Sequence, residues 1–133
     1  MPILGIDPGI TTGYCLVTQY GDILESGNLL EEDLEESILV KYAQDDSIKV
    51  VIEKVPVPTQ GEMNLKLERV LEWIKKTFPN AIWVLPGTWK NDILVINYKA
   101  PNDWEGEPTQ HQKDSFRIAL WCLLKLKRES NEA

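Results

Sequence analysis

The spacing of apolar residues changes several times along the chain, and each change predicts an element. Residues 2–7 are almost wholly apolar, 13–19 are mixed and 22–29 alternate, with Gly21-Asp22 between the last two. This predicts a strand followed by an antiparallel meander. From about 31 to 46, Leu34, Ile38, Leu39 and Tyr42 recur at helical spacing behind an acidic start, the signature of a first helix. The run 48–53 is continuous and β-branched, as expected of a central strand covered on both faces. After Pro56 and Pro58, Met63, Leu67, Val70, Leu71, Ile74 and Phe78 form one stripe of a helix over 62–78, with Leu65 and Trp73 on the flank facing away. Residues 81–85 predict another strand, ended by Pro86-Gly87, and 87–98 fits either a short helix or an extended piece. Residues 99–108, rich in Pro, Asn, Asp and Gly, predict a loop. Thr109 and Gln112 then make a capping-box pattern, and Ile118, Ala119, Cys122, Leu123 and Leu126 give the last helix its buried face, with the final charged residues frayed. The alternation implies an α/β fold: a five-stranded sheet mixing parallel and antiparallel strands, with helices on both faces.

At 133 residues the chain can bury one sizeable core, so a single domain over 1–133 is expected. No apolar run approaches the roughly 20 residues that span a bilayer, and no secretory signal opens the chain, so no membrane association and a cytoplasmic location are expected. Cys15 falls in a strand and Cys122 in a helix, without the close Cys or His neighbours of a zinc site, and both read as small buried hydrophobes.

A net charge of −7 argues against nucleic acid as a partner, but its distribution weakens the objection. Residues 1–62 carry twelve acids against three bases, whereas 63–133 carry nine against eleven. Five of the acids lie within Glu31–Glu36, read as a solvated helix start where acids suit the helix dipole. Acids gathered at a metal site would also be neutralised by the cations they bind.

Three of the remaining acids stand where elements end or begin. Asp7 closes the first strand in Ile6-Asp7-Pro8-Gly9, Glu53 closes Val50-Val51-Ile52-Glu53, and Asp114 lies in the first turn of the last helix, three residues after the chain's one histidine, His111. Singly, each has a plainer explanation: a turn-shaping Asp, a solvent-facing strand end, an acid favoured at a helix start, a helix-start histidine. Together they suit phosphodiester cleavage, which needs an activated water, a neutralised phosphate and a stabilised leaving oxygen. Two Mg²⁺ ions roughly 3.5–4 Å apart supply all three, and hard cations ask for carboxylate oxygens.

The order Ile-Asp-Pro-Gly-x-x-x-Gly, then Val-Val-Ile-Glu, then His-x-x-Asp-Ser-x-x-x-Ala-Leu resembles the RuvC-type Holliday junction resolvases of the ribonuclease H-like superfamily. Pro86-Gly87-Thr88-Trp89-Lys90 is similar to the family's strand-end Pro followed by a Lys. The resemblance implies a ribonuclease H-like fold, with Asp7, Glu53 and Asp114 as metal ligands and His111 as a ligand or as the group orienting the attacking water. It further implies Mg²⁺ or Mn²⁺ as cofactor, DNA four-way junctions as substrate, and a homodimer that makes paired nicks leaving 5′-phosphates. One departure is that many resolvases of this family carry aromatic residues soon after the second acid, and Lys54 to Met63 contains none. Met63 or Trp104 is then the candidate wedge, and Lys54, Lys66, Lys90, Lys99, Lys113 and Arg117 are candidates for phosphate contact. Three other readings stand beside this one. The same chemistry could act on flaps, RNA–DNA hybrids or structured RNA; the fold could be a binding module without catalysis; or the Asp-x-Gly turn could be the phosphate loop of an actin-like ATPase, a scheme in which His111 and Asp114 have no job.

Overall fold

The alternating N-terminal third forms the meander. β1 (Ile3–Asp7), β2 (Thr11–Val17) and β3 (Ile23–Leu30) pair antiparallel in sequence order. Between β2 and β3 the chain reverses at Gly21, whose φ of 87° is the left-handed conformation that glycine accepts without steric cost. Thr18 fastens this turn, its Oγ1 accepting from the backbone N–H groups of Tyr20 and Asp22. β4 (Lys49–Glu53) lies parallel to β1 on its other side, and β5 (Ile82–Val84) parallel to β4. The sheet order is β3-β2-β1-β4-β5, which puts β1, buried at every residue, in the middle. The structure, a computed structural model, describes residues 1–55, 62–92, 95 and 108–132, apart from the side chains of 62–64 and 131–132.

The two faces are covered by α1 (Ile38–Ala43), α2 (Glu62–Thr77), α3 (Pro86–Lys90) and α4 (Gln110–Glu132). Successive strand residues point to opposite faces, so each central strand feeds two cores. Leu4, Ile6, Leu16 and Ile52 pack with α1 and α2 through Leu39, Val70 and Ile74. Ile3, Cys15 and Val51 pack with α3 and α4 through Trp89, Ile118, Ala119 and Cys122. Each Ile or Leu buried in this way stabilises the fold by about 1.5–3 kcal/mol. Among the described residues no helix is long and apolar enough to cross a membrane.

Three local expectations need correction. The acidic run does not open a helix: Glu31–Asp33 is a 3-10 turn, and α1 begins only after Ser37. Ser37 Oγ accepts from Leu39 N–H and donates to the Leu34 carbonyl, so the cap forms at the serine, as hydroxyl capping favours, and not at the acids. Glu31 instead pairs with Arg69 of α2, at 2.6 Å from Nε and 3.2 Å from Nη2. Trp73 does not face away but packs, half-buried, against the α1/α2 core, whereas Leu65 is exposed as expected. The C-terminal charged residues continue α4 as far as Glu132.

The closest approach between layers is made at glycine. A Cβ on Gly5 of β1 would lie 2.0 Å from the Ser115 carbonyl oxygen of α4, and one on Gly13 of β2 would lie 2.4 Å from the His111 carbonyl oxygen. The first turns of α4 therefore rest directly on the backbone of β1 and β2. Gly5→Ala should destabilise the protein by about 3 kcal/mol or more in chemical denaturation, because a backbone atom cannot rotate away. Gly87→Ala in α3, where the nearest atom is Asn91 Nδ2 at 3.6 Å, should be neutral or stabilising by up to about 1 kcal/mol.

Candidate active site

β1 and β4 end side by side. Ile6 lies opposite Ile52 and both point to the α1/α2 core, so the next residues, Asp7 and Glu53, point to the side that α4 covers. Pro8-Gly9 then turns the chain, with Thr12 Oγ1 donating to the Gly9 carbonyl at 3.1 Å. Both acids are buried, Asp7 to 7% and Glu53 to 6% exposure, at the carboxyl end of the parallel strands. On the facing helix, the capping box reads as the sequence predicts: Gln112 N–H donates to Thr109 Oγ1 at 3.2 Å and Thr109 N–H to Gln112 Oε1 at 3.0 Å. The turn so fixed carries His111 and Asp114. His111 Nδ1 lies 2.9 Å from Asp7 Oδ2 across Gly13, the residue opposite Asp7 in the β1–β2 pair. Asp114, one turn on and half-buried, accepts from Gln110 Nε2 at 2.8 Å.

Burial pushes the Asp7 carboxyl above its ordinary range; the hydrogen bond and charge of His111 oppose the shift and the charge of Asp114 adds to it. Glu53 is pushed up to about 7, first by burial and then by the neighbouring charge of Asp7, with Lys90 opposing and Asp114 adding. The charge of Asp7 thus raises the cost of ionising Glu53 beside it. Two buried carboxyls held above their ordinary range, with a third acid near enough to raise both, form a site short of positive charge. Among the described residues no three His, Cys, Asp or Glu side chains already close around one point as a metal cage. The donors do suit a hard divalent cation: oxygens from Asp7, Glu53 and Asp114, with one imidazole nitrogen.

The predicted phosphate contacts fall into groups. Lys90 stands closest, its Nζ 3.9 Å from Glu53 Oε1 and 5.2 Å from the centre of the buried Trp89 ring. Lys90, Arg117 and Asp114 line a cleft of about 320 Å³ between α3 and α4. Lys54 follows Glu53 and is exposed, its backbone N–H extending the ladder to the Val84 carbonyl at 2.7 Å, and Lys113 is exposed on α4. Lys66 is not brought to this site: it stands on α2 beside Glu31 and Arg69, a helix that packs on the opposite face. Lys99, Trp104 and the side chain of Met63 lie outside the described residues. Gly5 and Gly13 carry no direct sign in the sequence of being seats for α4. A signal existed, since each is a small residue inside an otherwise bulky strand, a pattern that often marks close backbone approach.

The raised carboxyls set the sign of a pH effect on the metal-free protein. A carboxyl held higher in the folded state than in the unfolded one contributes stability below the unfolded value, lost as pH rises through the folded value. For Glu53 that window runs from the ordinary 4.5 to about 7. In EDTA, the melting temperature should fall between pH 5 and pH 8, and Glu53→Gln should flatten the fall and melt several degrees above wild type at pH 8. Thermal melts across pH check this.

No protein-family model matches the chain, and no curated protein matches its sequence. Solved structures do match in three dimensions. The structure of T. thermophilus RuvC in complex with Holliday junction substrate aligns with a TM-score of 0.70 at 17% sequence identity, over 96% of this chain and 96% of that one. A second structure, of Thermus thermophilus RuvC, aligns with a TM-score of 0.68 at 16% identity, over 96% of this chain and 97% of that one. The chain thus has the ribonuclease H-like fold of these RuvC structures, a mixed five-stranded sheet with helices on both faces.

Proposed function

We propose that this protein is a divalent-metal-dependent endonuclease of branched DNA that resolves four-way junctions by paired nicks. The observation that carries the reading is the meeting of Asp7, Glu53, His111 and Asp114 at the carboxyl end of the central strands. The fold it occurs on adds support, since one structure sharing that fold is of a RuvC with a Holliday junction substrate. Paired nicks require two active sites, so the working form is a homodimer.

Asp7, on the innermost strand and touched by both Glu53 and His111, is the central ligand. Glu53, at the end of the adjacent strand, would hold the cation as a carboxylate. Asp114 would contribute a third carboxylate. These groups would hold Mg²⁺ or Mn²⁺, which would supply charge to neutralise the scissile phosphate, acidify the attacking water and steady the leaving 3′-oxygen. With Nδ1 engaged by Asp7, His111 keeps Nε2 to accept a proton from water or to ligate the cation. Lys90 and Arg117 flank the cleft beside Asp114, where a neighbouring phosphate oxygen would meet two cationic donors.

A second reading keeps the chemistry and changes the substrate. It is favoured by the lack of an aromatic residue between Lys54 and Met63 to wedge into a junction. Cleavage of a matched panel (mobile four-way junction, flap, duplex, single strand and RNA–DNA hybrid) in Mg²⁺ or Mn²⁺ separates the two. The junction reading expects symmetric paired nicks confined to the junction; cutting spread over the panel would replace it with the second reading, and binding without cutting would leave a binding module.

Asp7→Asn should slow cleavage at least about 10²-fold, several kcal/mol of lost charge stabilisation, while leaving folding and junction binding nearly intact. Wild-type-like cleavage by that variant would sink the site assignment. Arg117→Ala and Lys54→Ala should each weaken junction binding and reduce the slope of log affinity against log salt by about 1, whereas Lys66→Ala should leave both unchanged.

A further inference from the structure

The helix turn that carries His111 is fastened on two sides, and only one of them is Asp7. Asp7, Gly13 and Asn28 stand opposite one another on β1, β2 and β3, forming one row across the sheet. The His111 backbone rests on Gly13 in the middle of that row. At the near end His111 Nδ1 meets Asp7; at the far end Thr109 Oγ1 donates to Asn28 Oδ1 at 2.8 Å, and Asn28 Nδ2 donates to Gln112 Oε1 at 3.0 Å. Gln112 Nε2 reaches on to Ser26 Oγ at 3.0 Å, two residues along β3 on the same face. The donors and acceptors close without conflict. The Thr109 hydroxyl accepts from Gln112 N–H and donates to Asn28, and Gln112 Oε1 accepts from both Thr109 N–H and Asn28. The same two groups that cap α4 therefore bolt it to the outermost strand of the sheet.

We propose that Asn28 and Gln112 are positioning residues for the nuclease, holding the first turn of α4 at the sheet so that His111 and Asp114 stay over Asp7. The proposal rests on the nuclease reading above. A capped helix start would form without Asn28, since Thr109 and Gln112 satisfy each other. What Asn28 adds is a fixed lateral position, because it ties that cap to a strand two places away from β1. A displacement of about 1 Å in such groups is enough to slow chemistry strongly, whereas substrate affinity, spread over many phosphate contacts, would hardly change.

The test joins three readouts on the full chain: deuterium exchange at amides 112–115, single-turnover cleavage of a four-way DNA junction in Mg²⁺, and junction affinity in EDTA. Asn28→Ala and Gln112→Leu should speed exchange at these amides at least fivefold, leave exchange in β1 and β4 unchanged, and slow cleavage tenfold or more with affinity within twofold. Gln112→Glu keeps the oxygen that Thr109 N–H and Asn28 use, and should stay within threefold of wild type in cleavage. Faster exchange with undiminished cleavage would make the clasp merely structural and overturn the proposal, as would slowed cleavage with unchanged exchange. Loss of β1 and β4 protection in both variants would overturn it as well, by showing a general loss of fold. A wild-type protein that cuts no branched DNA would instead remove the nuclease reading, and the catalytic role with it.

Discussion

The contact of helix α4 with bare strand backbone at Gly5 and Gly13 is the constraint on which the site depends. A side chain at either position would hold the helix off the sheet by the depth of a methyl group or more, since a Cβ there would fall 2.0 and 2.4 Å from helix carbonyl oxygens. Seated in this way, the helix places His111 across Gly13 from Asp7, so the ring Nδ1 and the carboxyl meet at 2.9 Å without a long side chain having to reach. The same proximity closes the core beneath the site, because Ile118, Ala119 and Cys122 follow on the face that the seat has turned toward β1 and β4.

Electrostatics then works against the bare site. Asp7 and Glu53 end adjacent parallel strands on one face, and burial deprives both of water. The stress favours a proton held at the pair, and His111 and Lys90 ease it at the edges. A divalent cation would relieve it more completely, since it supplies two charges where the proton supplies one. That is the physical sense in which an acidic chain can serve an acidic substrate: the charges that would repel phosphate are the ones that gather its counter-ions.

Much of this was legible in the sequence for local reasons. Asp7 and Glu53 each follow an unbroken apolar run, so their places at strand ends follow from neighbours in the chain. Thr109 and Gln112 announce the start of α4 through a three-residue spacing, which fixes His111 and Asp114 on its first turn. What could not be read depends on partners far apart in the chain. Asn28 looks like any polar residue of an edge strand until Thr109 and Gln112 arrive from 81 and 84 residues away. The acidic run misleads for a related reason: helical spacing of Leu34, Ile38 and Tyr42 is satisfied equally by a 3-10 turn and a short helix that meet at Ser37, and the serine's competing hydrogen bonds decide between them. Trp73 likewise sits at the edge of its stripe, where tertiary packing and not periodicity determines burial.

Mn²⁺ binding by the protein without DNA, followed by electron paramagnetic resonance of the free ion at neutral pH, tests the central claim most directly. The account predicts saturable binding that Mg²⁺ displaces and that Asp7→Asn abolishes or weakens at least tenfold, with the variant still folded. No saturable binding, or binding that Asp7→Asn leaves unchanged, would contradict it.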